Sequence, residues 1–376
     1  MSRRLLQVVR SLRAETGGVA AAARAITEQV RARGHTVTFA SLDPADRGAP
    51  DVHAFGRHSE GYGYAAHFTP WLRERRGDFD AVIVHGMWQY PGFGTWRALR
   101  GTSTPYHVFC HGMNDPWFKR TYPLKHAKKW LYWPWAEYRV LRDARSVLFT
   151  TDEERRLARQ SFPLYRAAEG VVPLGVAEPP PPSPTLAAAW RAAAPAVADR
   201  PFFLFLGRVH VKKGLEELLR AYAATSLGPD LVIAGPCAEP AYQAQLVTLT
   251  RSLSLEARVH WVPMLTGDAK WGALHAAEAF VLTSHQENFG IAVVEALACG
   301  RPVLISESVN LARELAAAGA ALVAPDTVAG ATDLLRRWQD TTPAERSRMA
   351  DAARRCHATR YSPGVATDAL LAALGW

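Results

Sequence analysis

A repeated order of short, β-rich apolar runs, each followed by helical sequence, limits what this chain can fold into more than any other feature. Leu5–Val9 reads as a strand, Gly17-Gly18 opens a helix over Val19–Arg33, and Gly34 stops it. Thr36–Ala40, Ala81–Val84, His107–Phe109 and Val147–Phe149 repeat the pattern. Apolar strands with helices between them predict parallel sheets covered on both faces. The order pauses at Glu178–Pro184 (EPPPPSP), which can continue neither a strand nor a helix. It restarts with Phe202–Leu206, Leu231–Ala234, Val259–Val262, Ala279–Leu282, Pro302–Ile305 and Ala320–Val323. The expectation is an α/β protein of two doubly wound, Rossmann-like domains facing each other across a cleft. The first is expected over 1–176, a proline-rich linker over 177–200 and the second domain over 201–360. In such folds ligands sit beyond the carboxyl ends of the strands, so those ends carry the functional argument.

Composition narrows the partners. With 376 residues, 48% hydrophobic and 21% charged, the chain is neither disordered nor fibrous, and it is long enough for two cores. Lys and Arg number 44 against 35 Asp and Glu, a formal charge of +9 that favours anionic partners without choosing among them. Cys110, Cys237, Cys299 and Cys356 lie far apart with no CxxC pair, which argues against a disulfide framework or a structural zinc and for a reducing compartment. Between Arg4 and Arg10 only five mostly apolar residues occur, too few for a signal-peptide core, and no 18-residue apolar run exists. The expected location is the cytoplasm, with peripheral contact at the inner membrane face.

Two blocks carry chemistry. Ser284-His285-Gln286-Glu287-Asn288-Phe289-Gly290-Ile291 follows a strand and opens a helix that includes Glu295. Free N–H groups at a helix start form an anion site, and Gly290 lets a ligand approach closely. Two carboxylates flanking that cradle suit a ligand with hydroxyls at both ends and phosphates between, the layout of a nucleotide-sugar. Either Glu alone reads more simply as a solvated residue; the whole block does not. In Gly207-Arg208-Val209-His210-Val211-Lys212-Lys213-Gly214, Arg208 offers a planar fork for diphosphate oxygens and Lys213 a point charge. Lys212 reads as a solvated turn residue, and the GxxxxGK[ST] order of a Walker loop is absent.

These blocks bring the chain to a family. It resembles the retaining glycosyltransferases of family 4, which have the GT-B fold, over roughly residues 5–325. The matching features are Gly17-Gly18, Arg33-Gly34-His35-Thr36-Val37, His111-Gly112, Val172-Pro173-Leu174-Gly175-Val176 and Gly207-Arg208 through Lys213-Gly214. Ala234-Gly235-Pro236, the Glu287–Glu295 block and Gly300-Arg301-Pro302-Val303 complete them. Trp88-Gln89-Tyr90 and Asp115-Pro116-Trp117-Phe118-Lys119-Arg120 are similar to a subgroup of bacterial exopolysaccharide assembly.

The resemblance implies an acceptor-binding first domain, on which a C-terminal helix at about 361–376 packs back, and a donor-binding second domain. It implies that Glu287 contacts donor-sugar hydroxyls, Glu295 the ribose, and the N–H groups of Asn288, Phe289, Gly290 and Ile291 the sugar and diphosphate. Arg208 and Lys213 would stabilise the leaving nucleoside diphosphate, with Gly207 in the same turn. Gly17 and Gly18 would admit the phosphate, His111 would sit beside the donor sugar, and Met264 and Leu265 would neighbour the base. Pro263 stands where the family usually has Gly, which puts backbone recognition of the base in question. On the acceptor side the expected contacts are His85, Trp88 and Asp115, although a strand-end His is as readily structural. The implied donor is UDP-glucose first and GDP-mannose second, with a glycan or lipid-linked acceptor. No cofactor, metal or nucleic acid is expected. Asp78-Phe79-Asp80 looks like a DxD metal motif but precedes its strand, so it reads as a turn.

Trp117–Arg139 interleaves Lys119, Arg120, Lys125, Lys128, Lys129 and Arg139 with Trp and Tyr. That composition suits a membrane interface, stacking on acceptor sugars or single-stranded nucleic acid, or a core helix with snorkelling lysines. The alternatives to sugar transfer are a basic nucleic-acid-binding protein, which leaves Glu287 and Glu295 unexplained, and another GT-B enzyme such as a phosphorylase or epimerase.

Overall fold

The computed structural model describes residues 2–13, 17–44, 51–56, 61–162, 165–197, 199–225 and 228–376. Met1, and Ala198 in the expected linker, lie outside them. Contacts divide the chain into one unit up to Gly175 together with Pro363–Trp376, and a second over Val176–Ser362.

The first unit holds seven strands: β1 (Arg4–Val9), β2 (Thr36–Ser41), β3 (Val52–Ala54), β4 (Ala81–His85), β5 (Tyr106–Phe109), β6 (Ser146–Phe149) and β7 (Glu169–Val171). They lie in the order β3-β2-β1-β4-β5-β6-β7, every pairing parallel. Strands β1 and β4 are buried along almost their whole length, as a sheet covered on both faces requires. The order reverses between β1 and β4, so the loops after them open at the switch point. The helix Pro363–Leu374 packs on the helix Gly18–Ala32: Arg33 pairs with Asp368 at 2.6 Å, and the His35 and Trp376 rings stand 5.2 Å apart.

The second unit repeats the plan with β8 (Phe202–Leu206), β9 (Asp230–Ala234), β10 (Val259–Val262), β11 (Ala279–Leu282), β12 (Val303–Ser306) and β13 (Ala321–Ala324). Their order is β10-β9-β8-β11-β12-β13, again all parallel. Here the switch point lies between β8 and β11.

The linker expected over 177–200 needs correction. Ser183 accepts a hydrogen bond from the Leu186 N–H and caps a helix over Pro184–Ala193, with Pro184 in its first turn. Trp190 is buried 5.0 Å from the Phe202 ring, and a Cβ on Gly272 would stand 2.2 Å from the Leu186 carbonyl oxygen. Proline stops the preceding segment, but at the first helical position it starts the next one. Residues 184–193 are therefore part of the second unit's core.

The basic-aromatic segment is a broken helix: Trp117–Thr121, Pro123–Tyr132, a π-helical turn over Trp133–Glu137, and Tyr138–Asp143. Pro134 lacks an N–H and crowds the preceding turn, which accounts for the local widening. No helix among the described residues is long and apolar enough to cross a membrane.

Candidate functional site

Each unit gathers its candidate residues at the carboxyl end of its sheet, because parallel strands send every following loop to the same edge. In the second unit the loop after β8 reaches Gly214, whose φ of +62° and whose position against the Thr283 carbonyl oxygen leave no room for a Cβ. The Thr283 hydroxyl donates to the Gly214 carbonyl at 2.9 Å, tying this loop to the end of β11. Gly207 N–H donates to Ala234 O, and a Cβ on Gly235 would lie 1.9 Å from Gly207 O. Three strand-end loops thus meet backbone to backbone.

That close packing places the charges. Lys213 forms an ion pair with Glu287, and both side chains are largely shielded from water. Lys270, in the helix Gly267–Ala276, donates to Glu295 at 2.5 Å and lies 4.1 Å from the Trp271 ring centroid. Lys212 donates to the Gln286 side chain at 2.8 Å. Arg208 is exposed and makes no ion pair with a described residue. Gly290, with φ of +72°, precedes the helix Ile291–Ala298, and a Cβ there would press Val293 and Glu287. Glu287 also joins backbone to backbone with Ser308 and Asn310, which fixes its turn. Asn288 accepts from Asn310 Nδ2 at 3.2 Å.

Phe289 is buried against Tyr361, which leaves the expected backbone contact as the one it can make, and Leu265 is 4% exposed, so there too the side chain anchors its loop and only backbone can meet a ligand. Met264 is 52% exposed and stands free at the end of β10.

A second cluster braces the same loops. His285 Nδ1 lies 2.8 Å from Asp326 and its Nε2 lies 3.4 Å from Glu217. Hydrogen bonding to Glu217, and then to Asp326, raises its pKa to about 9. Its backbone N–H donates to Lys212 O at 2.8 Å, so this imidazolium joins both loops.

In the first unit, Gly17 has φ of +86° and Gly18 opens its helix; a Cβ on either would meet no described residue within 4 Å. Packing among the described residues therefore does not require glycine at 18. His111 follows β5 in a left-handed conformation, φ +50°. The adjoining Gly112 N–H donates to Glu154 Oε1 at 2.5 Å, while Glu154 Oε2 accepts from Thr150 N–H and hydroxyl. Burial lowers the His111 pKa to about 4.

Of the residues expected on the acceptor side, His85 is buried in the fold and Trp88 is half-buried. His85 is 3% exposed, its Nδ1 2.9 Å from His111 Nε2 and its Nε2 2.7 Å from Gln7 Oε1. Both ring nitrogens are committed inside the fold. Trp88 has φ of +68°; its backbone N–H donates to Glu137 Oε2 and its indole N–H to Met113 O, both at 3.1 Å. Its ring packs on Phe162 and Trp133, with the Lys129 ammonium 4.6 Å from the centroid. Burial pushes the Lys129 pKa down and that of Glu137 up, each to about 8. Asp115 accepts from the Trp117 N–H at 2.8 Å and so caps the next helix. Asp80 of the DxD look-alike accepts from the Arg4 N–H at 2.7 Å. Among the described residues no three of His, Cys, Asp and Glu are grouped to hold a metal ion.

Gln7, Lys270 and Glu137 were not singled out from sequence. Gln7 left a trace, a polar residue inside an apolar strand. Lys270 left none, since its partner is 25 residues away.

Comparison with known proteins settles the family. Residues 17–175 match the glycosyl transferase 4-like domain, and residues 187–356 match glycosyl transferases group 1. The chain belongs to the GT-B glycosyltransferases. The D-inositol 3-phosphate glycosyltransferase of Mycolicibacterium smegmatis is 31% identical over 176 residues, 46% of this chain and 40% of that protein. That of Mycobacterium leprae is 28% identical over 251 residues, 63% and 55% of the two chains. The alignments thus span only about two-fifths to just over half of these curated relatives.

Among solved structures, a glycosyltransferase from Rickettsia africae superposes with a TM-score of 0.80 at 14% identity, covering 99% of this chain and 98% of that one. Anabaena HepE in complex with UDP and glucose gives 0.77 at 17% identity and 99% of both chains. These likenesses establish the GT-B fold of this chain.

The His285 clamp makes a pH prediction. Its pKa is raised above the ordinary 6.5 of an unfolded chain, so its stabilisation is complete below about pH 6.5 and is lost as pH rises through about 9. In thermal melts, His285→Gln should fall furthest below wild type at pH 6, and the gap should narrow by pH 10. A gap independent of pH would exclude a charged His285.

Proposed function

We propose that the chain transfers a hexose from a nucleoside-diphosphate sugar to a glycan or lipid-linked acceptor, with retention of configuration and without a metal ion. The carrying observation is the bracketing of the glycine-opened helix start at Gly290 by two lysine–carboxylate pairs, Lys213–Glu287 and Lys270–Glu295. Free N–H groups there suit phosphate oxygens, and the carboxylates suit hydroxyls on either side. Because each carboxylate is paired, an approaching diphosphate meets no net repulsion. Arg208, Lys212, Lys213 and Lys270 against Glu287 and Glu295 leave these side chains net positive.

In this reading Glu295 holds the ribose, Glu287 the sugar hydroxyls, and Met264 with the Leu265 backbone borders the base. Arg208 and Lys213 neutralise the charge that grows on the leaving diphosphate, the work a metal does elsewhere. On the first unit, Gly17 and Gly18 leave space for phosphate, and His111 meets the sugar. UDP-glucose is the first donor and GDP-mannose the second, and polysaccharide assembly is the setting. Anabaena HepE, a structural neighbour, has been solved with UDP-glucose, which supports that order.

The test is nucleotide release from UDP-glucose and GDP-mannose, with free and lipid-linked oligosaccharides as acceptors. Release should persist in EDTA. Arg208→Ala should lower kcat/KM by about 10²–10³-fold, the worth of a donor aimed at developing charge. Loss of turnover in EDTA with rescue by Mg²⁺, or an unimpaired Arg208→Ala enzyme, would contradict the reading.

The same proposal gives the first unit a peripheral membrane contact at the cytoplasmic face. Leu124, Leu131 and Trp135 are 82%, 77% and 51% exposed on one side of the helical segment, among exposed Lys125, Lys128 and Arg139. Apolar side chains with flanking cations match the interface of an anionic leaflet, where each cation contributes about 1 kcal/mol. Lys129 is excluded, since it faces Trp88. Co-sedimentation with anionic vesicles at low salt should be strong for wild type and weak for K125E/K128E. Equal failure of both proteins would remove the membrane from the account.

A further inference from the structure

A polarised hydrogen-bond chain runs from the first helix to His111, and each link decides the next. The Thr27 hydroxyl donates to the Ala23 carbonyl at 2.9 Å, which uses its only proton. Thr27 Oγ1 is therefore the acceptor for the Gln7 amide Nε2, 2.6 Å away, which also donates to the same carbonyl at 3.1 Å. The amide orientation is fixed by these two contacts, so the end facing His85 is the oxygen, Oε1. At 2.7 Å from that oxygen, His85 Nε2 must carry a proton.

His85 is buried, and burial holds its pKa well below the ordinary value, so it is neutral and its Nδ1 is bare. His111 Nε2, 2.9 Å from that bare nitrogen, must be the donor. The ring planes differ by 16° at a centroid separation of 5.2 Å, so the imidazoles meet edge to edge, the geometry of an in-plane N–H···N bond. His111 is neutral as well, which leaves its Nδ1 unprotonated. No described residue hydrogen-bonds to that nitrogen.

We infer that Gln7 and His85 are positioning residues that hold His111 as a single tautomer, with the proton on Nε2 and a bare, accepting Nδ1. The ligand group that meets His111 Nδ1 must then be a hydrogen-bond donor. A hydroxyl qualifies and a phosphate oxygen does not, so the chain directs this end of the first sheet towards a sugar hydroxyl. The assignment of that hydroxyl to a donor sugar rests on the proposed function; the tautomer does not. Alignment of the chain makes the arrangement cooperative, because each bond polarises its neighbour. A Gln in the middle of a buried strand, 0% exposed, is otherwise a cost to the sheet.

The test is ¹⁵N imidazole NMR of the full chain labelled at histidine, which reads protonated and bare nitrogens directly. Wild type should show His111 with Nε2 protonated and Nδ1 bare, coupled through its hydrogen bond to a bare His85 Nδ1. In Gln7→Leu, which removes the acceptor at similar size, His111 should become a mixture of tautomers. Nucleotide release from UDP-glucose or GDP-mannose should fall roughly three- to tenfold in kcat, the scale of one hydrogen bond, with the Kd for free UDP or GDP unchanged. A proton on His111 Nδ1 in wild type, or an unaltered single tautomer in Gln7→Leu, would overturn the inference. The wild-type spectrum alone decides if the variant does not fold. Absence of turnover with either sugar, beside the expected tautomers, would count against sugar transfer and not against the relay.

Discussion

Parallel pairing throughout both sheets is the constraint from which the rest follows. A strand that runs parallel to its neighbour must be reached by a crossover, and successive crossovers deliver every post-strand loop to one edge. Residues separated by dozens of positions, such as Lys213 and Glu287, become neighbours for this reason. The strand order reverses between β1 and β4 and again between β8 and β11, and the reversals spread the loops that carry the candidate residues. The glycines do the fine work at these edges. Gly214 and Gly235 allow backbone to touch backbone where any Cβ would collide.

Charge is arranged in the two units by opposite means. In the second, the carboxylates of Glu287 and Glu295 are paired with lysines, so they present no net repulsion to an anion. In the first, buried carboxylates hold backbone. Trp88 and His111 adopt positive φ without being glycine, a conformation that costs about 1–3 kcal/mol each. Glu137 accepts the Trp88 N–H, and Glu154 accepts the N–H of Gly112, next to His111. The strain is held in place by groups that are themselves buried, and it sets His111 against His85.

The alternation of apolar runs and helices made most of the fold legible. Three strands of the second sheet are the clearest case, since Phe202–Leu206, Val259–Val262 and Ala279–Leu282 have the same bounds in sequence and structure. The edge strands Val52–Ala54 and Glu169–Val171 were not legible, because three half-buried residues carry no apolar pattern. The helix Pro184–Ala193 was hidden by the prolines before it, although Ser183-Pro184 is a helix-start signal. For the site, the residue types at the strand ends were readable, but not their partners. Nothing in the spacing pairs Lys270 with Glu295, or commits His85 to Gln7, because those contacts exist only once the strands are side by side.

The central claim is that the carboxyl edge of the second sheet receives a nucleoside diphosphate. The most direct measurement is the change in backbone amide chemical shifts of the full chain as UDP or GDP is added. The account predicts the largest changes within Gly207–Gly214 and Ser284–Glu295, at the N–H groups around Arg208 and Gly290. Saturable binding with those two segments unmoved, and the changes concentrated elsewhere, would contradict it.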